Sequence, residues 1–448
     1  MNTPEAPNFL HMDSLPINAD IISDIRRDMH LKNLAFASIR QIVQLVNRIQ
    51  ERTSIQFIRT EMGVPGLSVP RIAIEAEINA LKNGVASVYP PIEGKKELKQ
   101  ELSRFIKLFL NVEVNPEGCI PTVGSMQGSL ACFLIVNRID DQKDITLFID
   151  PGFPVQKKQI QVLGFKHKNF DIYNFRGNQL KTKLEAFLAD GNISTFIYSN
   201  PNNPSWFCFT ENELQIIGEL ANKYEVIVIE DLAYFGMDFR ENYGVPGKPP
   251  FQPTVARYTD NYVLLFSSSK AFSYAGQRIG SAIISDKLFH KEFPNLSRNF
   301  SSTRFGHAFI QDAIYTLSAG TAFSAQSGFE AILRAVNDGK YDFVKGVREY
   351  GERARIMKKL FLDNGFKIVY DKDEDRLLAD GFYFTISYSD YSGEQLLEEL
   401  LRYGISAITL DTTGSERTEG LRICVSQTHL HDIPLLKERL ENFRRGHS

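Results

Sequence analysis

The sequence predicts an α/β protein with a large domain built on a mainly parallel sheet and a second, smaller α/β domain. Three observations carry this. The chain has 448 residues, more than the roughly 250–300 at which a single hydrophobic core stops growing, so two domains sharing a cleft are expected. Between Ile120 and about Ile284, short apolar runs end in polar or glycine-rich turns and alternate with helical stretches. Beyond Ser327 a helical pattern leads into the strand-like runs FKIVYD, GFYFTISY and GLRICVSQ, with the helical EQLLEELLRYG between two of them.

Residues 1–30 are polar with scattered prolines and read as an N-terminal arm. ASIRQIVQLVNRIQER (37–52) then sets Ile39, Ile42, Val43, Val46 and Ile49 on one helical face. IAIEAEINALKNG (72–84), closed by Gly84, and KKELKQELSRFIKLFLN (95–111) are two further amphipathic helices. The runs ITLFID (145–150), TFIYSN (195–200), VIVIED (226–231), YVLLFS (262–267) and GSAIIS (280–285) are continuously apolar rather than alternating, as strands covered on both faces require. One long helical pattern covers 327–364, and DKDEDR (371–376) reads as a solvated turn because it lacks calcium-loop spacing.

Composition excludes several classes of function. Hydrophobic residues at 43% and charged residues at 23% are those of an ordinary globular protein. The 51 basic and 54 acidic residues are mixed along the chain, so no basic stripe points to nucleic acid or a membrane surface. No apolar stretch approaches membrane-helix length, and the first residues lack a basic region followed by an apolar run, so a soluble, untargeted protein is expected. Cys119, Cys132, Cys208 and Cys424 form no C-x-x-C, which suits a reducing cytoplasm and argues against zinc or disulfides. His429 and His431 form one H-L-H with no third ligand nearby, so no metal is expected. The phosphate-loop and dinucleotide glycine motifs are both missing.

In an open parallel sheet, ligands bind beyond the carboxyl ends of the strands. Asp231 follows VIVIE, Ser267-Ser268-Ser269-Lys270 follows YVLLF, and NPNNPSW follows TFIYS. A lysine in such a loop is ordinarily solvated. Here three small hydroxyl residues precede it and Arg278 follows within G-Q-R-I-G, which surrounds an amine with phosphate-binding donors and suits an aldehyde cofactor bearing a phosphate. A carboxylate at the end of an apolar strand needs a cation, either an arginine or lysine of the fold or a protonated pyridine nitrogen.

Four segments in order, YPPIEG (89–94), NPNNPSW (200–206), EDLAYFGM (230–237) and SSSKAFSYAGQRIG (267–280), followed by LRICVS (421–426), make residues 60–430 resemble the fold-type I pyridoxal-phosphate enzymes, and within them the class I and II aminotransferases. The resemblance implies a three-layer large domain over 89–335 and a small domain built from the N- and C-terminal segments, 1–88 and 336–448. It makes Lys270 the lysine that carries the cofactor and shuttles the substrate Cα proton, and Asp231 the partner of the pyridine nitrogen. Asn203 and Tyr234 become donors to the cofactor's phenolic oxygen, with Asn203 also close to substrate. Gly124, Ser125 and Met126 would hold the phosphate at a helix start, with Ser267, Ser269 and Arg278 completing the cup. Phe153 matches the ring stacked on the cofactor, and Tyr89 the tyrosine that reaches the phosphate from a neighbouring subunit, which implies a homodimer. Arg422 matches the arginine that forks onto the substrate α-carboxylate, and Gly63 the glycine where backbone passes the substrate. Ser205 and Trp206 depart from the family's Thr and Gly.

The activity implied is ping-pong transfer of an amino group between an amino acid and a 2-oxo acid. A lyase, decarboxylase or racemase on the same scaffold is the nearest rival, and a non-catalytic ligand-sensing module a rival of another class. For the substrate side chain two readings stand side by side. Arg298 and Arg304 either read an acidic group or are surface arginines, and Phe272, Tyr274 and Trp206 either line an apolar pocket or are ordinary packing.

Overall fold

A computed structural model describes residues 15–447; the first part of the N-terminal arm lies outside them. Seven strands form one sheet: β1 Cys119–Thr122, β2 Ile145–Asp150, β3 Lys166–Asp171, β4 Ile193–Ser199, β5 Ile227–Leu232, β6 Tyr262–Ser267 and β7 Gly280–Ile284. Their spatial order is β1-β7-β6-β5-β4-β2-β3. Neighbours from β3 to β6 pair in parallel, and β7 runs antiparallel to both β6 and β1. Every residue of β2, β4, β5 and β6 is buried, because helices cover both faces. β3, with the sequence KHKNFD, lies at the sheet edge and is partly exposed; its charges hide it from a search for apolar runs.

The two faces of the sheet carry separate cores. Val228, Leu232, Leu264 and Phe266 pack on one side with Leu98, Phe105 and Phe329. Ile227, Ile229, Val263 and Leu265 pack on the other with Ala131, Phe133 and Ile135 from the helix Gly124–Val136. Alternation along β5 therefore aims Asp231 at the side where that helix lies.

A third core joins residues 17–58 to residues 347–443. It lies against a small antiparallel sheet in the order β12-β13-β11-β8, formed by β8 Lys367–Ile368, β11 Tyr383–Ser387, β12 Ile408–Thr409 and β13 Leu421–Cys424. The helix Ile39–Thr53 starts at a capping box in which Ser38 and Gln41 satisfy each other's backbone N–H groups. The N-terminal segment is bound to this small unit: Glu394 accepts from the Leu34 N–H at 2.7 Å, and Thr409 Oγ1 donates to the Ala35 carbonyl at 2.7 Å. No helix among the described residues is long and apolar enough to cross a membrane.

Three sequence expectations change. Residues 19–28, part of the expected arm, form the helix Ala19–Asp28, capped by Asn18 and buried through Ile22 and Ile25. The expected long helix over 327–364 is three helices, Phe323–Asn337, Phe343–Val347 and Glu349–Asp363, interrupted where Gly339 takes φ +70°. DKDEDR is not simply a solvated turn. It forms the hairpin β9 Lys372–Asp373 and β10 Arg376–Leu377, and Asp373 is buried. Its carboxylate meets Arg240 at 2.8 Å and Arg176 at 3.4 Å and accepts the Cys208 N–H at 2.9 Å, which binds this hairpin to the large unit.

Candidate active site

Strand register assembles the site's polar floor. Ser199 at the end of β4 is paired with Asp231 of β5, and Ser267 ends the next strand. Asp231 is buried, and its carboxylate accepts from Gln156 Nε2 at 2.8 Å and from the Ala233 N–H at 3.1 Å. No arginine or lysine among the described residues pairs with it. Both partners are neutral, and burial pushes the carboxyl up to about 6.

Asp231 lines a cavity of about 290 Å³ together with Lys270, Arg278 and Arg422. The Lys270 ammonium donates to the Gly63 carbonyl and lies 5.8 Å from the centre of the Phe382 ring. Burial draws this lysine down to about 8, and Arg278 and Arg422 act in the same direction. An amine so placed reaches its neutral, nucleophilic form within about two pH units of neutrality.

Ser125 and Met126 start the helix Gly124–Val136 and line the same cavity with Ser267, Ser269 and Arg278. Gly124 has φ +67°, and a Cβ there would lie 2.7 Å from Arg278 Nη2, so the guanidinium is seated directly against the backbone at the helix start. Free N–H groups, a positive helix end and a guanidinium converge as an anion requires. Phe153, the residue before the helix Pro154–Leu163, lines the same cavity.

Asn203 comes from the loop after β4. Its N–H donates to Ser199 Oγ at 3.1 Å, and its Oδ1 accepts from Arg422 Nη1 at 3.3 Å. Ser205 donates to Asn202 Oδ1 at 2.7 Å, and Asn202 reaches the Pro151 carbonyl at 2.8 Å, so the hydroxyl needed to close this turn is present. Trp206 has φ +67°, the left-handed conformation that explains why glycine suits this position. The indole is fully buried and packs edge-on against Tyr234 and Tyr383. Tyr234 and Tyr383 meet hydroxyl to hydroxyl at 2.7 Å.

Arg422, on β13, donates to the Glu61 carbonyl and lies 4.7 Å from the centre of the Tyr383 ring. Its buried Nε has no protein partner. Arg422 lines the cavity, and its guanidinium offers the planar fork that suits a carboxylate. Gly63 lies against the Tyr383 hydroxyl, where any Cβ would collide.

This arrangement has counterparts in known proteins. The family model for aminotransferase class I and II matches residues 62–433. The chain belongs to the class I and II aminotransferases. It is a pyridoxal-phosphate-dependent aminotransferase, as its relatives' names agree: it is 25% identical to a probable aspartate aminotransferase of Methanocaldococcus jannaschii over 83% of this chain and 87% of that protein. It is 23% identical to an aspartate aminotransferase of Pyrococcus horikoshii over 86% and 88% of the two chains. The fold is shared with solved structures of a Thermus thermophilus aspartate aminotransferase double mutant (TM-score 0.73, 18% identity, 94% of this chain and 98% of that one) and a Pyrococcus furiosus alanine aminotransferase (TM-score 0.73, 18% identity, 92% and 98%).

Of the two readings open for the substrate side chain, this aminotransferase's own subunit shows packing and surface pairing. Phe272, Tyr274 and Trp206 are buried in the cores and do not line the cavity. Arg298 pairs with Asp141 at 2.7 Å and Arg304 with Glu292 at 3.5 Å, both outside it. Tyr89, expected to reach a neighbouring subunit's site rather than its own, is 87% exposed. Conversely, Ile39, Met62, Val64, Ser199 and Tyr383 line the cavity and escaped sequence reasoning. Only Tyr383 carried a usable signal, a hydroxyl within the apolar run GFYFTISY.

Proposed function

We propose that this aminotransferase works at the cavity around Lys270, with the residues below in stated roles. Asp231 carries the proposal: a buried carboxylate without a cationic partner in the same cavity as a desolvated lysine fits a ring bearing a protonated nitrogen. The anion cradle of Gly124, Ser125, Met126 and Arg278, with Ser267 and Ser269, fits the phosphate at the other end. Pyridoxal phosphate supplies an aldehyde that takes up the amino group and a ring that draws off the electron pair left at Cα.

The chain's own residues do the rest. Lys270 holds the cofactor and, once released, takes the Cα proton and returns it one position along, a task suited to an amine drawn down to about 8. Asp231 keeps the ring nitrogen protonated, and Gln156 keeps Asp231 in place. Asn203 and Tyr234 donate to the phenolic oxygen, while Phe153 covers one ring face. Arg422 grips the α-carboxylate and so turns the Cα–H bond toward Lys270. With one water taken up, the amino acid would leave as a 2-oxo acid and its amine stay behind; a second 2-oxo acid would take that amine by the same steps reversed, releasing the water.

The helix Arg71–Lys82 buries Ala73 and Ala80 yet exposes Ile72, Ile74, Ile78 and Leu81, with Val88 and Tyr89 exposed just beyond. Such a patch supports a homodimer, with Tyr89 reaching the neighbouring site's phosphate. The four cysteines are all buried and unpaired, which supports a cytoplasmic location.

The test is the visible spectrum of purified protein with pyridoxal phosphate, beside Lys270→Ala. A band that requires Lys270 and is converted by amino acids, with amine recovered on an oxo acid, is expected. Release of ammonia without transfer would instead favour a lyase.

A further inference from the structure

We infer that Tyr383 is a positioning residue for the aminotransferase reaction: its hydroxyl donates to that of Tyr234 and so holds Tyr234's own proton on the cofactor's phenolic oxygen. This rests on the role proposed for Tyr234. The two hydroxyls meet at 2.7 Å, and both residues line the cavity that holds Lys270 and Asp231. A tyrosine hydroxyl has one proton to give. Once Tyr234 commits its proton to the phenolic oxygen, the bond between the two hydroxyls can be made only with the proton of Tyr383.

That direction matters, because a hydroxyl that accepts a hydrogen bond becomes a stronger donor itself. The Arg422 guanidinium lies 4.7 Å from the centre of the Tyr383 ring. Burial pushes the Tyr383 hydroxyl up, and Arg422 pulls the other way, which readies this hydroxyl to give its proton.

The fold holds both rings in place. Tyr383 begins β11, whose Thr385 stands opposite Arg422 on β13, whereas Tyr234 lies two residues beyond β5 of the large sheet. The Trp206 indole packs edge-on against both, with ring centres 5.4 Å from Tyr234 and 6.0 Å from Tyr383. Backbone at Gly63 is seated against the Tyr383 hydroxyl, where an added Cβ would lie 2.1 Å away. The small sheet that carries Arg422 therefore also sets the aim of a residue from the large unit.

The test is the pH midpoint at which the Lys270-dependent visible band changes, measured on holoenzyme of the native protein, Tyr383→Phe, Tyr234→Phe and the double variant. Phenylalanine keeps each ring against Trp206. The other titratable or charged groups around the pair, Lys270, Asp231, Arg278, Arg422 and Cys424, are the same in all four proteins. By donating to the phenolic oxygen, Tyr234 eases loss of the proton from the nitrogen bonded to Lys270, so a weaker donation raises the midpoint. Tyr383→Phe should raise it by about half a pH unit, roughly threefold in proton affinity. Tyr234→Phe should raise it further, and the double variant no further than Tyr234→Phe, because Tyr383 acts through Tyr234. A midpoint unmoved in Tyr383→Phe but raised in Tyr234→Phe, or shifts that add in the double variant, would overturn the assignment and leave the role of Tyr234 intact. No shift in Tyr234→Phe would overturn both.

Discussion

Asp231 shows how one residue can oppose stability and serve function. In cofactor-free protein its carboxyl is raised from 3.8 to about 6 by burial, so the folded chain holds a proton that the unfolded chain releases between those values. Its stabilising contribution is fully present below 3.8 and is lost as pH rises through about 6, leaving a cost on the order of 3 kcal/mol at neutral pH. Cofactor-free Asp231→Asn should therefore melt higher than native protein at pH 8, with the gap closing by pH 4. The same substitution should cut transamination by roughly 10³-fold, as loss of a positioned proton-holding group does. An unchanged melting temperature would show that the carboxylate is better solvated than its burial indicates. For Arg422→Lys, the loss of the planar fork should lower kcat/KM by about 10²-fold while the Lys270-dependent band persists. Asp231 and Lys270 stood out in sequence as polar residues following apolar strand runs, Arg278 by its place in G-Q-R-I-G after Lys270, and Asn203 and Arg422 through the resemblance of their motifs to the family's. Tyr383 carried only a hydroxyl within an apolar run, and Ile39, Met62 and Val64 carried nothing, because an apolar residue in an apolar segment has the same local signature whether it faces a core or a cavity.

Among the elements, the loop after β4 and the β9–β10 hairpin depart furthest from expectation. Trp206 occupies a left-handed position, at a cost of about 1–2 kcal/mol, and buries its whole indole against Tyr234, Tyr383 and Gly381. Trp206→Gly restores the usual family residue and relieves that strain, but empties a site worth about 3–5 kcal/mol. We expect net destabilisation of about 2–3 kcal/mol in urea unfolding; a neutral or stabilising result would mean the neighbouring rings collapse into the space. Asp373 is the only carboxylate in its hairpin that is buried, and it faces two arginines. Asp373→Ala should cost about 1–3 kcal/mol, since it leaves the buried Cys208 N–H without its acceptor, while Arg176 keeps Glu213 and Arg240 keeps Asp238. A run such as DKDEDR conceals this, because a charged segment shows no periodicity until its partner strand and opposing surface are known.

For the molecule as a whole, the exposed apolar face of the helix Arg71–Lys82 sets the assembly prediction. Ile78→Asp should convert a dimer to monomer in sedimentation velocity and remove activity by withdrawing Tyr89 from the neighbouring site. A monomeric native protein with full activity would contradict the dimer.

By itself the sequence determined the helices that begin near Ile39, Arg71 and Lys96, the central buried strands and the polarity at the strand ends, because apolar periodicity and strand-end polarity are properties of neighbouring residues. The aldehyde-cofactor site could be read for the same reason, as its polar members are each marked by their own short motif. Only the tertiary structure decided that the Glu61 carbonyl meets Arg422, that Arg298 and Arg304 pair with Asp141 and Glu292, and that Asp373 joins the two units. Those relations connect residues hundreds of positions apart, and they are set by how sheets and helices pack, which no local pattern of residues encodes.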